Sequence, residues 1–112
     1  MEVQDYVKEN LRMKKIDYII KKETGLIFNE VYILNQIINA NDNRVTLKNL
    51  KTDLGVSYAL LFKYITKIQN RKLATKVVNS DDRRRSEITM DASEAQRSEE
   101  VLLEVEMILE SE

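Results

Sequence analysis

RVTLKNLKTDLGVSYALLFKYITKIQNRKLATKVVNSDDRRR, residues 44–85, is the stretch on which the reading of the whole chain turns. Arg44-Val45-Thr46 is a short extended piece. Thr46 is a candidate N-cap for a short helix from Leu47 to Asp53, and Leu47, Leu50 and Leu54 recur at spacings of three and four on its inner side. A tight break at Leu54-Gly55-Val56 leads to a longer helix from Ser57 to Arg71, with Ser57 as its N-cap. Two apolar runs follow, Leu73 to Val78 and Ile88 to Met90. Their β-branched residues and the alternation around Thr89 predict strands. Between them lies the charged tip Asp81-Asp82-Arg83-Arg84-Arg85. Two helices joined by a glycine-containing turn, then a basic hairpin, describe a winged helix-turn-helix.

Within the longer helix, Leu61, Tyr64, Ile65 and Ile68 form the stripe expected to be buried, closed by Leu73. The opposite face carries Ser57 at its start, then Tyr58, Leu60, Phe62, Lys63, Thr66 and Lys67. Leu60 and Phe62 have no use on a solvated face, whereas a helix that reads DNA bases can press apolar groups on thymine methyls. The competing reading is that this helix is buried over a wider arc.

Charge supports a local polyanion-binding surface. Residues 1–43 carry 6 Lys/Arg and 7 Asp/Glu. Residues 44–85 carry 11 Lys/Arg against 3 Asp/Glu, a net of +8, and residues 86–112 carry 1 Arg against 9 Asp/Glu, a net of −8. A chain of overall charge −1 with one strongly positive segment points to one binding surface rather than to general stickiness.

The 112 residues are enough for one domain with a modest core. The absence of Cys and His excludes disulfides, thiolate and imidazole metal sites, His-dependent catalysis and His-based pH switching. No cofactor or metal is expected. No apolar run is long enough for a bilayer and the charged start is no signal peptide, so a cytoplasmic protein without a membrane partner is expected. Asp81 and Asp82 are adjacent loop carboxylates, which do not make a shared desolvated acid–base site, and an enzyme reading has no support.

Outward from the central stretch, Glu2 to Thr24 reads as a helix. Its apolar stripe, Val3, Tyr6, Val7, Leu11, Met13, Ile16, Ile19 and Ile20, is too wide for one small winged unit to cover. Gly25 fits the left-handed position past its end, and Lys21 and Lys22 suit its last turn. A second helix runs from about Asn29 to Ala40, with Val31, Leu34, Ile37 and Ile38 inward, and the turn formers Asn39 to Asn43 end it. The last helix starts at Ala92 or Ser93 and runs to about Leu109. Ala95, Ser98, Leu102, Val105 and Leu109 give it a heptad-like seam, widened by Val101 and Ile108.

With these residues in order, the chain resembles the MarR family (multiple antibiotic resistance regulators). The resemblance rests on Leu54-Gly55-Val56-Ser57, the basic helix after it, the strand from Leu73, and Asp82-x-Arg84 before a strand ending at Met90. The segment from Asn29 to Ile37 and the short length are similar to the staphylococcal accessory regulator (SarA) group. The fold implied is mainly α with a small β-hairpin wing (α+β): a single winged helix-turn-helix domain over residues 1–112, with about six helices. The resemblance implies a homodimeric DNA-binding transcription regulator whose first and last helices, through Val7, Leu11, Leu102, Val105 and Leu109, form the dimer interface. Two units would read a pseudo-palindromic, AT-rich double-stranded site. The helix from Ser57 to Gln69 would be the recognition helix. Arg84 would enter the minor groove with Asp82 orienting it, and Arg83 and Arg85 would lie beside phosphates.

The chain departs from the family in three ways. Arg85 stands where the family has a small residue. Glu87 stands where it has an apolar one, so a shorter or frayed return strand is expected. The oxidant-sensing cysteine of some members is missing. With 2 Phe and no Trp, no aromatic effector pocket is indicated. The alternative function is a winged-helix scaffold that binds proteins through its last helix and does not touch DNA.

Overall fold

Two glycines and two hydroxyl groups set several of the chain's turning points. In the computed structural model, which describes residues 1–82 and 85–112, the elements are α1 (Val3–Thr24), α2 (Phe28–Asn39), β1 (Arg44–Thr46), α3 (Leu47–Leu54), α4 (Tyr58–Asn70), β2 (Thr75–Val77), β3 (Glu87–Thr89) and α5 (Ala92–Ser111). Five helices thus stand among the described residues, where the resemblance implies about six. None is long and apolar enough to cross a membrane. Gly25 sits at φ +78° past α1 and Gly55 at φ +65° past α3, both in the left-handed region that side chains resist. Thr46 and Ser57 cap α3 and α4, their hydroxyls each accepting a backbone N–H at 3.2 Å, from Asn49 and Leu60.

One stop was less legible. α4 ends with Lys72 at φ +57°. Lys72 N donates to the Gln69 carbonyl and Leu73 N to the Ile68 carbonyl, the paired bonds that usually accompany a glycine at this position. α5 starts at Ala92, within the expected Ala92 or Ser93, and its cap is Asp91. Its carboxylate accepts from Glu94 N at 2.7 Å, while the Glu94 carboxylate accepts from Asp91 N at 2.9 Å.

The expected hairpin is a three-stranded antiparallel sheet in the order β1-β3-β2. β3 is central: Ile88 faces Val45 on one side and Lys76 on the other, and is fully buried. β2 is shorter than the expected run from Leu73 to Val78, and β3 is shifted by one residue from Ile88–Met90. Leu73 and Ala74 are buried but precede β2, and Met90 is buried just past β3. Glu87, the departure that was to shorten the return strand, instead begins β3, paired with Thr46 and Val77. Its carboxylate lies 3.7 Å from the Arg44 guanidinium.

The main core gathers Leu26, Ile33, Leu34, Ile37, Leu47, Leu50, Leu61, Ile65, Ile68 and Ile88 from every layer of the winged unit. Ile33 and Glu30, not expected inward, are both buried on α2. Ser98 of α5 is buried too, donating to the Leu73 carbonyl at 2.8 Å. The first part of the expected α5 seam therefore faces the winged unit.

The second cluster corrects the seam further. Val105, expected between two protomers, is only 4 % exposed and packs on Ile16 and Ile20 of its own α1. Leu102 is half-buried against the main core. The reason is geometric: α5 lies along the C-terminal half of α1, so one side of each stripe is satisfied within the chain. Val7, Leu11 and Leu109 remain exposed, as do Leu103 and Met107, which were not expected to matter. Every residue from Met1 to Arg12 is exposed.

Candidate nucleic-acid interface

The Gly55 turn lets α3 end and α4 begin almost without a spacer, and Ser57 caps α4 by satisfying the Leu60 N–H. Leu61, Ile65 and Ile68 then face inward, at 0 to 1 % exposure. The helical period turns the opposite arc to solvent. That arc is Ala59, Leu60, Lys63, Thr66 and Asn70. Ala59 and Asn70 were missed from sequence, because neither has a side chain that advertises a role. Their places follow only once the buried arc is known. The Lys63 ammonium meets no partner among the described residues.

Of the residues predicted for this face, Ser57, Leu60, Lys63 and Thr66 are exposed. Tyr58 and Phe62 are not on it: both are half-buried against the main core, with ring centroids 6.0 Å apart. For these two the wider-burial reading holds, since the sheet and α3 close over that flank. Each ring carries a lysine above it, Lys51 Nζ at 5.2 Å from the Tyr58 centroid and Lys76 Nζ at 4.6 Å from that of Phe62. These contacts hold two cations on the rim of the exposed arc.

Lys67, on the other flank, is not a free cation. Its Nζ donates to the Gly25 carbonyl at 2.6 Å and to Glu30 Oε1 at 3.0 Å. Four residues on, Arg71 Nη1 donates to the Thr24 carbonyl at 2.9 Å, and one turn earlier the Tyr64 hydroxyl accepts from Asn29 Nδ2 at 3.0 Å. No pattern in α4 alone could show this, because the partners lie at the α1–α2 corner.

At the wing, Asn79 Oδ1 accepts from the backbone N–H of Asp81 at 3.0 Å and of Asp82 at 3.3 Å, shaping the turn after β2. Asn79 N donates to Ser86 Oγ at 3.1 Å across its base. Arg85 N donates to the Asp82 carbonyl at 2.9 Å, and Arg85 Nε lies 3.8 Å from Asp82 Oδ2. Arg83 and Arg84, the predicted wing-tip contacts, lie outside the described residues.

No family model matches the chain. It is 28 % identical over 83 residues to the HTH-type transcriptional regulator SarR of Staphylococcus aureus, covering 74 % of this chain and 72 % of the relative. Among solved structures it is similar to AbsC, a MarR family transcriptional regulator from Streptomyces coelicolor, with a TM-score of 0.73 at 19 % identity over 95 % of this chain and 74 % of that one. It is also similar to S. aureus MepR in a DNA complex, with a TM-score of 0.68 at 16 % identity over 99 % and 85 %. DNA-bound AbfR matches at 0.70 and 17 % over 93 % and 74 %. The chain has the winged helix-turn-helix fold of these MarR-type structures, and its sequence resembles SarR.

Proposed function

We infer that the protein is a DNA-binding transcription regulator that acts as a homodimer, with α4 in the major groove and the wing on the flanking minor groove. The observation that carries this reading is the exposed arc of α4: Lys63 and Thr66 at its centre, Ala59 small enough for close approach, and Leu60 and Asn70 at its borders. An apolar group, an amide and a cation on one narrow face can meet thymine methyls, base edges and phosphates. Ser57 and the two ring-held lysines extend it toward the backbone. Arg83, Arg84 and Arg85 supply the wing with charge suited to a narrow, AT-rich minor groove, and Asp82 steers Arg85. SarR and AbsC are regulators of transcription by name, and MepR and AbfR were solved on DNA, which lends support by likeness of sequence or fold. Such a regulator works where the chromosome is, in the cytoplasm.

The test is selection of bound duplexes from a random pool, followed by affinity measurements across salt concentrations. A dimer meeting about six to ten phosphates loses on the order of 10³–10⁵ in affinity between about 50 and 200 mM salt. A selected sequence with two inverted half-sites and such a slope is expected. No enrichment and no salt dependence would mean a protein-binding scaffold instead.

A further inference from the structure

Three side chains on one edge of α4 and its C-cap, Tyr64, Lys67 and Arg71, bond to a single short stretch, Thr24 to Glu30, where α1 ends and α2 begins. We propose that Lys67 is a positioning residue: with buried Glu30 it sets the rotation of α4 relative to α1, and it does not itself hold a phosphate. The proposal rests on the DNA-binding reading above.

The chemistry of the corner carries it. Glu30 is 2 % exposed. Its Oε1 accepts from Ile27 N at 2.9 Å and from Lys67 Nζ at 3.0 Å. A carboxylate this buried needs that cation, because a desolvated charge with one donor removed is costly. The Thr24 carbonyl is the last of α1, at the negative end of its dipole, and the Gly25 carbonyl follows it past the helix end. They receive Arg71 and Lys67, two cations one turn apart on another helix. The Gly25 position leaves room for this approach: a Cβ there would stand 3.3 Å from Arg71 Nη1. A lysine drawn away to a phosphate would give up both acceptors and strip the carboxylate. The same lysine left in place turns the Lys63–Thr66 arc to a defined angle. Its charge, matched by Glu30, adds little to the outward potential.

The experiment uses the full chain and a duplex selected from a random pool by the unmodified protein. Glu30→Gln keeps the shape of a group far too buried to meet DNA, and Lys67→Met keeps the aliphatic stem. Both should weaken binding by a similar factor, on the order of tenfold, as the loss of one well-aimed base contact would. Both should leave the slope of affinity against salt unchanged, and the double variant should be no weaker than either single one. Lys67→Gln, whose neutral amide can still donate to the Gly25 carbonyl, should recover most of the affinity and serves if Lys67→Met fails to fold. The proposal is overturned if Lys67→Met and Lys67→Gln both lower the salt slope by about one while Glu30→Gln binds as well as the parent or better. Failure of the unmodified protein to select any duplex would instead remove the DNA-binding reading itself, and this proposal with it.

Discussion

At the scale of single residues, Lys63 and Lys67 look alike in the sequence and differ in the structure. Both sit on the side of α4 away from Leu61 and Ile68, four positions apart. The burial of Glu30, in a different helix, separates their roles, and no spacing within α4 encodes that. Lys63→Ala should leave stability within about 0.5 kcal/mol, since the side chain is exposed and meets no partner among the described residues. On the proposed reading it should lower the salt slope of DNA affinity by about one. Thermal unfolding and a salt titration on the same preparation check both halves, and an unchanged slope would remove Lys63 from the interface. Phe62 misled for a related reason: an aromatic opposite a buried stripe fits either a base-reading face or a second buried flank, and only the position of Lys76 and the sheet decides. Lys72 is a residue whose conformation could not be read at all. It holds a left-handed turn that glycine adopts freely, so Lys72→Gly should raise stability by about 1 kcal/mol, the usual cost of a side chain there less the entropy glycine loses. Denaturant unfolding measures it; a loss of stability would mean that the lysine stem packs on something of value.

Among the elements, those with chemical punctuation were legible. Thr46, Gly55 and Ser57 each did what their side chains, or the lack of one, dictate, so α3, the turn and α4 were correct to within a residue or two. The sheet was half legible, because three-residue strands hold too few alternations to reveal pairing between β1 and β3 across the whole helix-turn-helix. α5 was legible in its body and at its start, Ala92, but the residue that caps it, Asp91, was not. That cap has a pH signature. The Asp91 carboxyl is held below the usual aspartate range, first by the Glu94 backbone N–H and then by the Ser93 hydroxyl. A group whose pKa falls on folding stabilises the fold above its unfolded value, about 3.9, and that contribution disappears as pH falls through the lower folded value. Asp91→Asn should therefore melt earlier than the parent near neutrality, with the two melting temperatures converging below about pH 4. A constant gap across that range would show that the charge has no part in the cap.

For the molecule as a whole, the question is what covers the first half of α1. Sequence alone assigned both terminal stripes to a dimer, because it could not tell which side of each is used within one chain. Val105 closes on Ile16 and Ile20, whereas Val7, Leu11 and Leu109 stay open along with Leu103 and Met107. On the dimer reading the two proposals for disruption separate. Val105→Asp buries a charge inside the protomer and should cost about 4 kcal/mol or more, which is unfolding rather than dissociation. Leu11→Asp together with Leu109→Asp should leave the protomer folded and split the dimer, abolishing binding to a two-fold site whose half-sites lie roughly 34 Å apart. Sedimentation at micromolar concentration distinguishes them. A parent protein that sediments as a monomer and still binds such a site would refute the role of both helices.

The sheet order has one more consequence, in the time domain. β3 is flanked by a strand near it in the chain and by one on the far side of α3 and α4. Closing the long loop costs entropy before any pairing rewards it, so β1–β3 contacts should form after the helices have docked. Ile88→Val, at the centre of that strand, should destabilise by about 0.5–1.5 kcal/mol. Nearly all of that loss should appear as faster unfolding, with the refolding rate unchanged. In the finished protein the wing would then be the part that opens first, exchanging its amide hydrogens while the helix-turn-helix beneath it still holds.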